Sequence, residues 1–210
     1  MEPVFDKELH DGSLVWLPEL GWGYVNPDGE SFKYDENYFE TYVGRRDTEM
    51  GKKLTDARVK LVNCYLTGEV VDIGIGAGAF VESRGADTYG FDINQTGIDW
   101  LEARGLFVDP YKRGIYAATF WDSLEHIPQP QNLLTNIRSL AFVSMPIYRN
   151  VDHVLTSKHF KKGEHIYYFT RDGLIEWMSR YGFRCLEENN IESDLGREDI
   201  GTFVFRRKRS

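Results

Sequence analysis

Two acids and three alternating glycines mark the first place where this chain could do chemistry. Asp72-Ile-Gly74-Ile-Gly76-Ala-Gly78 continues an apolar run that begins at Val70, and Asp92 stands at the end of the next apolar run, Thr88-Tyr-Gly-Phe. A strand that turns sharply into a helix needs positive φ or a close backbone approach, and glycine supplies both cheaply. The N–H groups at the start of that helix then face whatever rests on the loop. Gly74-x-Gly76-x-x-Ala79, with Asp92 downstream, fits a dinucleotide fingerprint. Asp72 argues for a different ligand, because a carboxylate there would repel a pyrophosphate and would suit a cationic nucleoside. Asp92, at the carboxyl end of its strand, can accept both hydroxyls of a ribose, with Ile93 against the base; the plainer alternative is a strand-end helix cap, since Asn94 and Thr96 precede a helix.

A second group lies further on. An apolar strand from Ile115 ends in Trp121-Asp122, followed by Ser-Leu-Glu125-His126. On a helical turn Asp122, Glu125 and His126 would share a face at i, i+3 and i+4. Residues 147–168 are rich in His and Lys: His153, Lys158, His159, Lys161, Lys162 and His165. His165 is the general-base candidate, since imidazole titrates near neutral pH. The three lysines could take a phosphate or carboxylate, but a solvated face is the simpler reading.

The elements that must position these groups follow from periodicity. Residues 1–33 are punctuated by Pro18, Gly21, Gly23, Pro27 and Gly29 and read as an irregular aromatic arm packed on the main domain. Residues 35–66 turn helical, with Leu54, Ala57, Arg58, Leu61 and Val62 on one stripe. A short helix starts near Ala77 with Phe80 and Val81 inward. Strands are expected at 88–92, at Leu106–Pro110, from Ile115, at Leu140–Ile147 bounded by Pro146, and as a closing hairpin at 183–187 and 202–206. Helices are expected over Gly97–Arg104, over Leu133–Ile137 and after Thr170. Tyr111–Gly114 leaves no room for a helix and reads as an extended crossing at roughly 3.3 Å per residue.

In this order the motifs resemble those of the class I S-adenosylmethionine (SAM)-dependent methyltransferases. Asp72-x-Gly74-x-Gly76-x-Gly78 is similar to their motif I. Leu124-Glu125-His126 is similar to the strand-four signature of a group that includes ubiquinone-biosynthesis and sugar or secondary-metabolite enzymes. The resemblance implies an α/β, Rossmann-like, seven-stranded, mostly parallel sheet with helices on both faces. It implies an N-terminal arm and lid over residues 1–66, a SAM-binding domain over 67–210, and a substrate-side insert at 147–168. It also implies SAM contacts from Tyr38, Tyr42 and Arg58 in the lid, from Asp109 beside the adenine, and from Trp121 and Asp122. Some relatives with Glu at the first position bind a divalent cation through the Asp122, Glu125, His126 trio. Here the shorter Asp favours a reading in which Glu125 and His126 bond the loop backbone, and the metal is left undetermined. The implied activity is methyl transfer to an O or N acceptor on a small molecule, sugar or nucleotide. An NAD-dependent oxidoreductase and a non-catalytic methyltransferase-like binding module are the rival readings.

The bulk numbers fit that picture. The chain has 210 residues, 41% of them apolar and 14% aromatic, with net charge −8. That size suits one α/β domain with an appendage, and the acidic balance argues against a dedicated nucleic-acid binder. Cys64 and Cys185 are far apart and read as buried free thiols of a reducing compartment. No apolar run approaches membrane-spanning length and the acidic N-terminus is no signal peptide, so a cytoplasmic protein is expected. Arg206–Arg209 reads as a solvated basic tail, and the oligomeric state is left open.

Overall fold

The computed structural model describes residues 6–25 and 36–208, with the side chains of 36–38 outside that description. In chain order the elements are β1 (Glu8–His10), β2 (Leu14–Leu17), β3 (Trp22–Val25), α1 (Glu36–Arg46), α2 (Glu49–Tyr65), β4 (Val70–Ile73), α3 (Ala79–Arg84), β5 (Thr88–Phe91) and α4 (Gln95–Glu102). There follow β6 (Ile115–Trp121), a 3-10 turn (Leu124–His126), α5 (Pro130–Leu134), β7 (Ile137–Tyr148), α6 (Val151–Thr156), β8 (Tyr167–Thr170), α7 (Arg171–Arg180), β9 (Phe183–Asn189), α8 (Ile191–Asp194) and β10 (Ile200–Arg207).

The centre of the sheet is parallel. β5, β4, β6 and β7 lie side by side in that order, and all four residues of β4 are buried, as a strand covered on both faces requires. β10 then pairs antiparallel with β7, and β9 antiparallel with β10. Phe203 and Phe205 of β10 stack at 5.8 Å within the main core cluster, with Phe120, Phe169, Leu174 and Phe183.

The sheet among the described residues has ten strands rather than the expected seven. The expected third strand at Leu106–Pro110 is reduced to one parallel bridge, Gly90 to Phe107. Asp109 then closes a turn instead of opening an extended crossing, its Oδ1 accepting from Tyr111 N at 2.9 Å. Counting that bridge with β5, β4, β6, β7, β10 and β9 recovers the seven-stranded plan. The added strands come from an unexpected place. β8 pairs parallel with the end of β7, and the arm read as irregular folds into the antiparallel meander β1–β2–β3, which pairs through β3 with β8. Trp22 of β3 stacks on Phe169 of β8 at 6.0 Å. The corner at Gly21 packs so tightly on α7 that a Cβ at Gly173 would come within 2.1 Å of the Gly21 carbonyl oxygen. The arm therefore extends the sheet, and no described residue of it lines either cavity at the site.

Other sequence expectations shift for local reasons. Ile137 begins β7 instead of ending a helix, because α5 stops at Leu134. Pro146 lies inside β7 and does not bound it. It falls where β7 has left its last β6 partner, at Ser144, and has not yet met β8, at Ile147, so no ladder bond needs its missing N–H. Cys64 is exposed and Cys185 half-buried; both are free thiols. Arg207 is not part of a solvated tail: its guanidinium lies 4.4 Å over the Phe183 ring and donates to the carbonyls of Leu134, Ile137 and Tyr181. No helix among the described residues is long and apolar enough to cross a membrane.

Candidate active site

The glycine loop leaves the carboxyl end of β4 and enters α3, where Phe80 and Val81 are buried. Gly74, Gly76 and Gly78 have φ of 77°, 54° and 73°. At Gly78 a side chain would be strained by that φ and would also meet the Trp100 ring at 2.6 Å, so the loop depends on glycine there. The loop is clasped from above by α1. Arg46 donates to the Ala77 carbonyl at 3.1 Å and pairs with Glu82 of α3 at 2.9 Å.

Two cavities meet at this loop. One, of about 140 Å³, is lined by Phe91, Asp92, Ile93, Tyr111, Ile127 and the loop itself. The other, of about 460 Å³, is lined by Asp72, Arg58, Glu125, His126, His165 and Arg197, among others. Tyr42, Gly74, Gly76, Trp121, Asp122 and His126 are common to both walls. The chain thus brings two lobes against one strip of glycine backbone, in the crevice at the strand carboxyl ends where open α/β sheets bind ligands.

The smaller lobe sets carboxylates among apolar and aromatic side chains. Asp92 accepts from Asn94 N at 2.9 Å, and the backbone amides of Ile93, Ile75 and Gly76 also face its carboxylate. Burial outweighs these bonds and raises its pKa. Ile93 is 68% exposed on the rim, an apolar side chain with nothing yet covering it. Asp109 lies outside both linings, its carboxylate engaged by Tyr111 N and by Lys112 at 3.0 Å.

Asp72 is buried in the wall of the larger lobe and accepts a 2.6 Å bond from the Thr119 hydroxyl. Burial pushes its pKa up to about 7, against the bond from Thr119 and the charge of Arg58. A buried carboxylate held near neutrality in this way is stabilised by any cation placed beside it.

Beyond Asp72 the wall is a closed ring of charges. Arg58, expected to meet a ligand carboxylate, instead bonds Glu192 through Nε at 2.7 Å and Nη2 at 3.0 Å, and reaches Asp122 at 3.3 Å. Arg197 takes both oxygens of Asp122, at 2.8 and 3.0 Å, and also pairs with Glu192. Although burial alone would raise the Asp122 pKa, the two guanidiniums hold it below the usual range. Arg58 also lies 5.0 Å over the Trp121 ring. Glu192 and Arg197 lie in the segment that joins β9 to β10 and carry no expectation from the sequence. No local signal distinguishes them, because their partners are 134 and 75 residues away.

This ring changes the geometry expected of the Asp122, Glu125, His126 trio. Asp122 sits at φ 57°, a left-handed conformation, and its carboxylate is turned onto the two arginines. His165 takes its place beside the other two. Glu125, His126 and His165 each offer a ligand atom within 4.8 Å of the others, and the two imidazole rings meet edge to face at 4.6 Å. His126 Nδ1 lies 2.8 Å from the Glu164 carbonyl, whereas both buried oxygens of Glu125 lack a hydrogen-bond partner. Burial, then the neighbouring His126, pushes the His165 pKa down to about 3, so the ring is neutral and a weak base as it stands. Lys158 and Lys161 reach the same cavity but pair with Glu198 and Glu164, while Lys162 pairs with Asp11 of the arm. In the lid segment Tyr42 reaches both cavities; Tyr38 lies in α1, and its side chain is outside the described residues.

A methyltransferase-domain family model matches residues 42–188. The chain belongs to the SAM-dependent methyltransferase family. Solved structures agree with the fold. A SAM-dependent methyltransferase from Clostridium acetobutylicum superposes with a TM-score of 0.58 at 13% identity, covering 82% of this chain and 98% of the other. Magnesium protoporphyrin IX methyltransferase from Synechocystis, with bound SAH, gives 0.57 at 14%, covering 82% and 95%. A SAM-dependent methyltransferase from Archaeoglobus fulgidus gives 0.55 at 18%, covering 82% and 100%. No curated protein matches by sequence.

Proposed function

We propose that the chain transfers a methyl group from SAM to an O or N acceptor on a small molecule, sugar or nucleotide. The observation that carries this reading is the meeting of two cavities on one glycine loop, with Asp92 in the smaller one and Asp72 and a His pair in the larger. In this reading the adenosine lies in the smaller lobe. Asp92 accepts the ribose hydroxyls, Ile93 and Tyr111 flank the base, and loop amides free of Cβ atoms lie under the sugar. Asp72 and Tyr42 face the cationic methionine end, and α1 acts as the lid, clasped by Arg46. The sulfonium supplies an electrophilic methyl carbon. The remaining task of the protein is to place the acceptor in line behind that carbon and to exclude water. Glu125, His126 and His165 line the side from which the acceptor must come.

The residues fit the cofactor in charge as well as in shape. A buried carboxylate whose ionised form is disfavoured in the free protein is a poor partner for a pyrophosphate and a good one for an ammonium or sulfonium. An S-adenosylhomocysteine release assay against fractionated metabolites and nucleotides tests the proposal. Turnover with one fraction, reduced by His165→Ala while cofactor affinity is kept, is the expected result. Stoichiometric cofactor binding with no turnover across every fraction would overturn the catalytic part.

A further inference from the structure

We propose that the acceptor is an anion: it carries a phosphate or carboxylate group, which docks on Lys158 and Lys161 in the larger cavity. This rests on the methyl-transfer reading above and narrows its acceptor to one chemical class.

The charge on the cavity wall carries the inference. The chain as a whole has net charge −8, yet Arg45, Arg46, Arg58, Arg197, Lys158 and Lys161 all line this one cavity. The four arginines are accounted for. Arg58 and Arg197 are committed to Glu192 and Asp122. Arg45 and Arg46 belong to α1 beside the glycine loop, where Arg46 holds the Ala77 carbonyl and Arg45 lies 5.5 Å over the Tyr42 ring. That is the end where the cofactor reading puts the methionine moiety, with its one carboxylate. Lys158 and Lys161 come instead from the insert that carries His165, and no group of the cofactor answers them. The charge of Lys161 helps to depress the pKa of both His126 and His165, and that of Lys158 does the same to His159. The two lysines therefore stand on the side from which the acceptor must come.

Acid does not balance the wall there. Of the lining acids, Asp122 is shared by two arginines, and burial favours the uncharged forms of Asp72 and Glu125. Glu164 pairs with Lys161 at 3.2 Å, while Lys158 pairs at 2.9 Å with Glu198, which lies outside the lining. Both lysines are half exposed or more, and such pairs contribute little. An arriving anion can share or replace them at small cost and gains charge-assisted hydrogen bonds.

The backbone under the lysines is fixed. Phe160 N donates to the Ser157 carbonyl at 3.0 Å and His159 N to the Ser157 hydroxyl at 3.1 Å, which closes a turn. Phe160 meets the Tyr168 ring edge to face at 5.3 Å, against the small core to which the arm contributes Leu14, Trp16 and Val25. The Tyr148 hydroxyl holds the His159 carbonyl at 3.2 Å. Of the three lysines that read from the sequence as a solvated face, the fold pairs Lys162 with Asp11 of the arm and gives the other two to the cavity.

The test uses the full chain saturated with S-adenosylhomocysteine, so that the cofactor carboxylate has already taken its own cations. Inorganic phosphate and, separately, citrate are titrated by calorimetry at constant ionic strength. One saturable site is expected for at least one of the two anions; preference for phosphate marks a phosphorylated acceptor, and preference for citrate a carboxylic one. The double change Lys158→Ala with Lys161→Ala should weaken that site at least about 10-fold. Lys158→Arg with Lys161→Arg should retain it, and Lys162→Ala should leave it unchanged. Equal S-adenosylhomocysteine affinity in all variants shows that they fold. In the release assay the active metabolite fraction should be one that an anion exchanger retains, and the double alanine variant should raise its KM at unchanged kcat. Cofactor binding with no saturable anion site, anion binding that survives the double alanine change, or turnover confined to the unretained fraction overturns this proposal and leaves the methyl-transfer reading standing. Failure to bind S-adenosylhomocysteine at all would instead remove the reading beneath it.

Discussion

Glu192→Ala is the sharpest probe of how this active site is held. Glu192 is fully buried and accepts two bonds from Arg58 and one from Arg197. Its removal leaves Arg58 with a single 3.3 Å contact to Asp122. Deleting one partner of a buried ion pair costs about 3–5 kcal/mol, because the other charge stays behind unpaired. Arg58 opens onto the larger cavity, and water there can relieve part of that penalty; about 3 kcal/mol is the appropriate figure. For a chain of this length each kcal/mol moves Tm by about 2–4 °C, so a fall of about 6–12 °C is expected. Urea midpoints and thermal melts measure it. Glu192→Gln, which keeps one acceptor oxygen, should lose about half as much. The double change Arg58→Met with Glu192→Leu should recover most of the loss, since an apolar pair of similar volume can replace a buried ion pair at little cost. A Glu192→Ala melt within about 2 °C of the parent, or no recovery in the double variant, would refute the ring as a structural element.

The other predictions concern the cofactor lobe. Asp92→Ala should lose two charge-assisted bonds to the ribose, roughly 1.5–3 kcal/mol each, read by calorimetry as at least about a 10-fold weaker SAM affinity. Asp72 gives a pH dependence: with its pKa near 7 in the free protein, it is protonated below that pH, and a bound cation favours the ionised form. SAM affinity should therefore rise up to pH about 7 and level off above it. The sign for stability is opposite. The folded protein holds a proton on Asp72 that the unfolded chain has released, so free-protein stability should fall between the ordinary carboxylate pKa and about 7. Chemical denaturation from pH 4 to 8, with and without cofactor, separates the two. Gly78→Ala should destabilise by at least ~1–2 kcal/mol from its left-handed backbone alone, with the Trp100 clash added, and should weaken cofactor binding.

What could be read from the sequence was local. The glycine loop announces itself because three backbone positions need positive φ within five residues, and Asp92 stands out as a carboxylate at the end of the next strand. The strands β4 and β6 and the 140–147 part of β7 were legible as mostly apolar runs, whereas the start of β7 at Ile137 was read as helix. The charged ring was not, since Arg58, Asp122 and the Glu192–Arg197 pair come from three distant segments and no local spacing joins them. The rotation of Asp122 away from Glu125 depends on one left-handed residue, which spacing arguments do not see. The meander of the arm was masked by its glycines and prolines, which read as loop until β8 offers an edge to pair with. Leu106–Pro110 failed the other way: its apolar residues promised a strand, but only Phe107 reaches the ladder before Asp109 turns the chain.

The account rests on a cationic, phosphate-free nucleoside lying across the glycine loop between Asp72 and Asp92. Calorimetric titration of the purified chain with S-adenosylhomocysteine and, separately, with NAD tests this directly. One saturable site for S-adenosylhomocysteine, weakened at least about 10-fold by Asp92→Ala, with no heat from NAD, is the predicted result. Saturable NAD binding that S-adenosylhomocysteine fails to displace would contradict it.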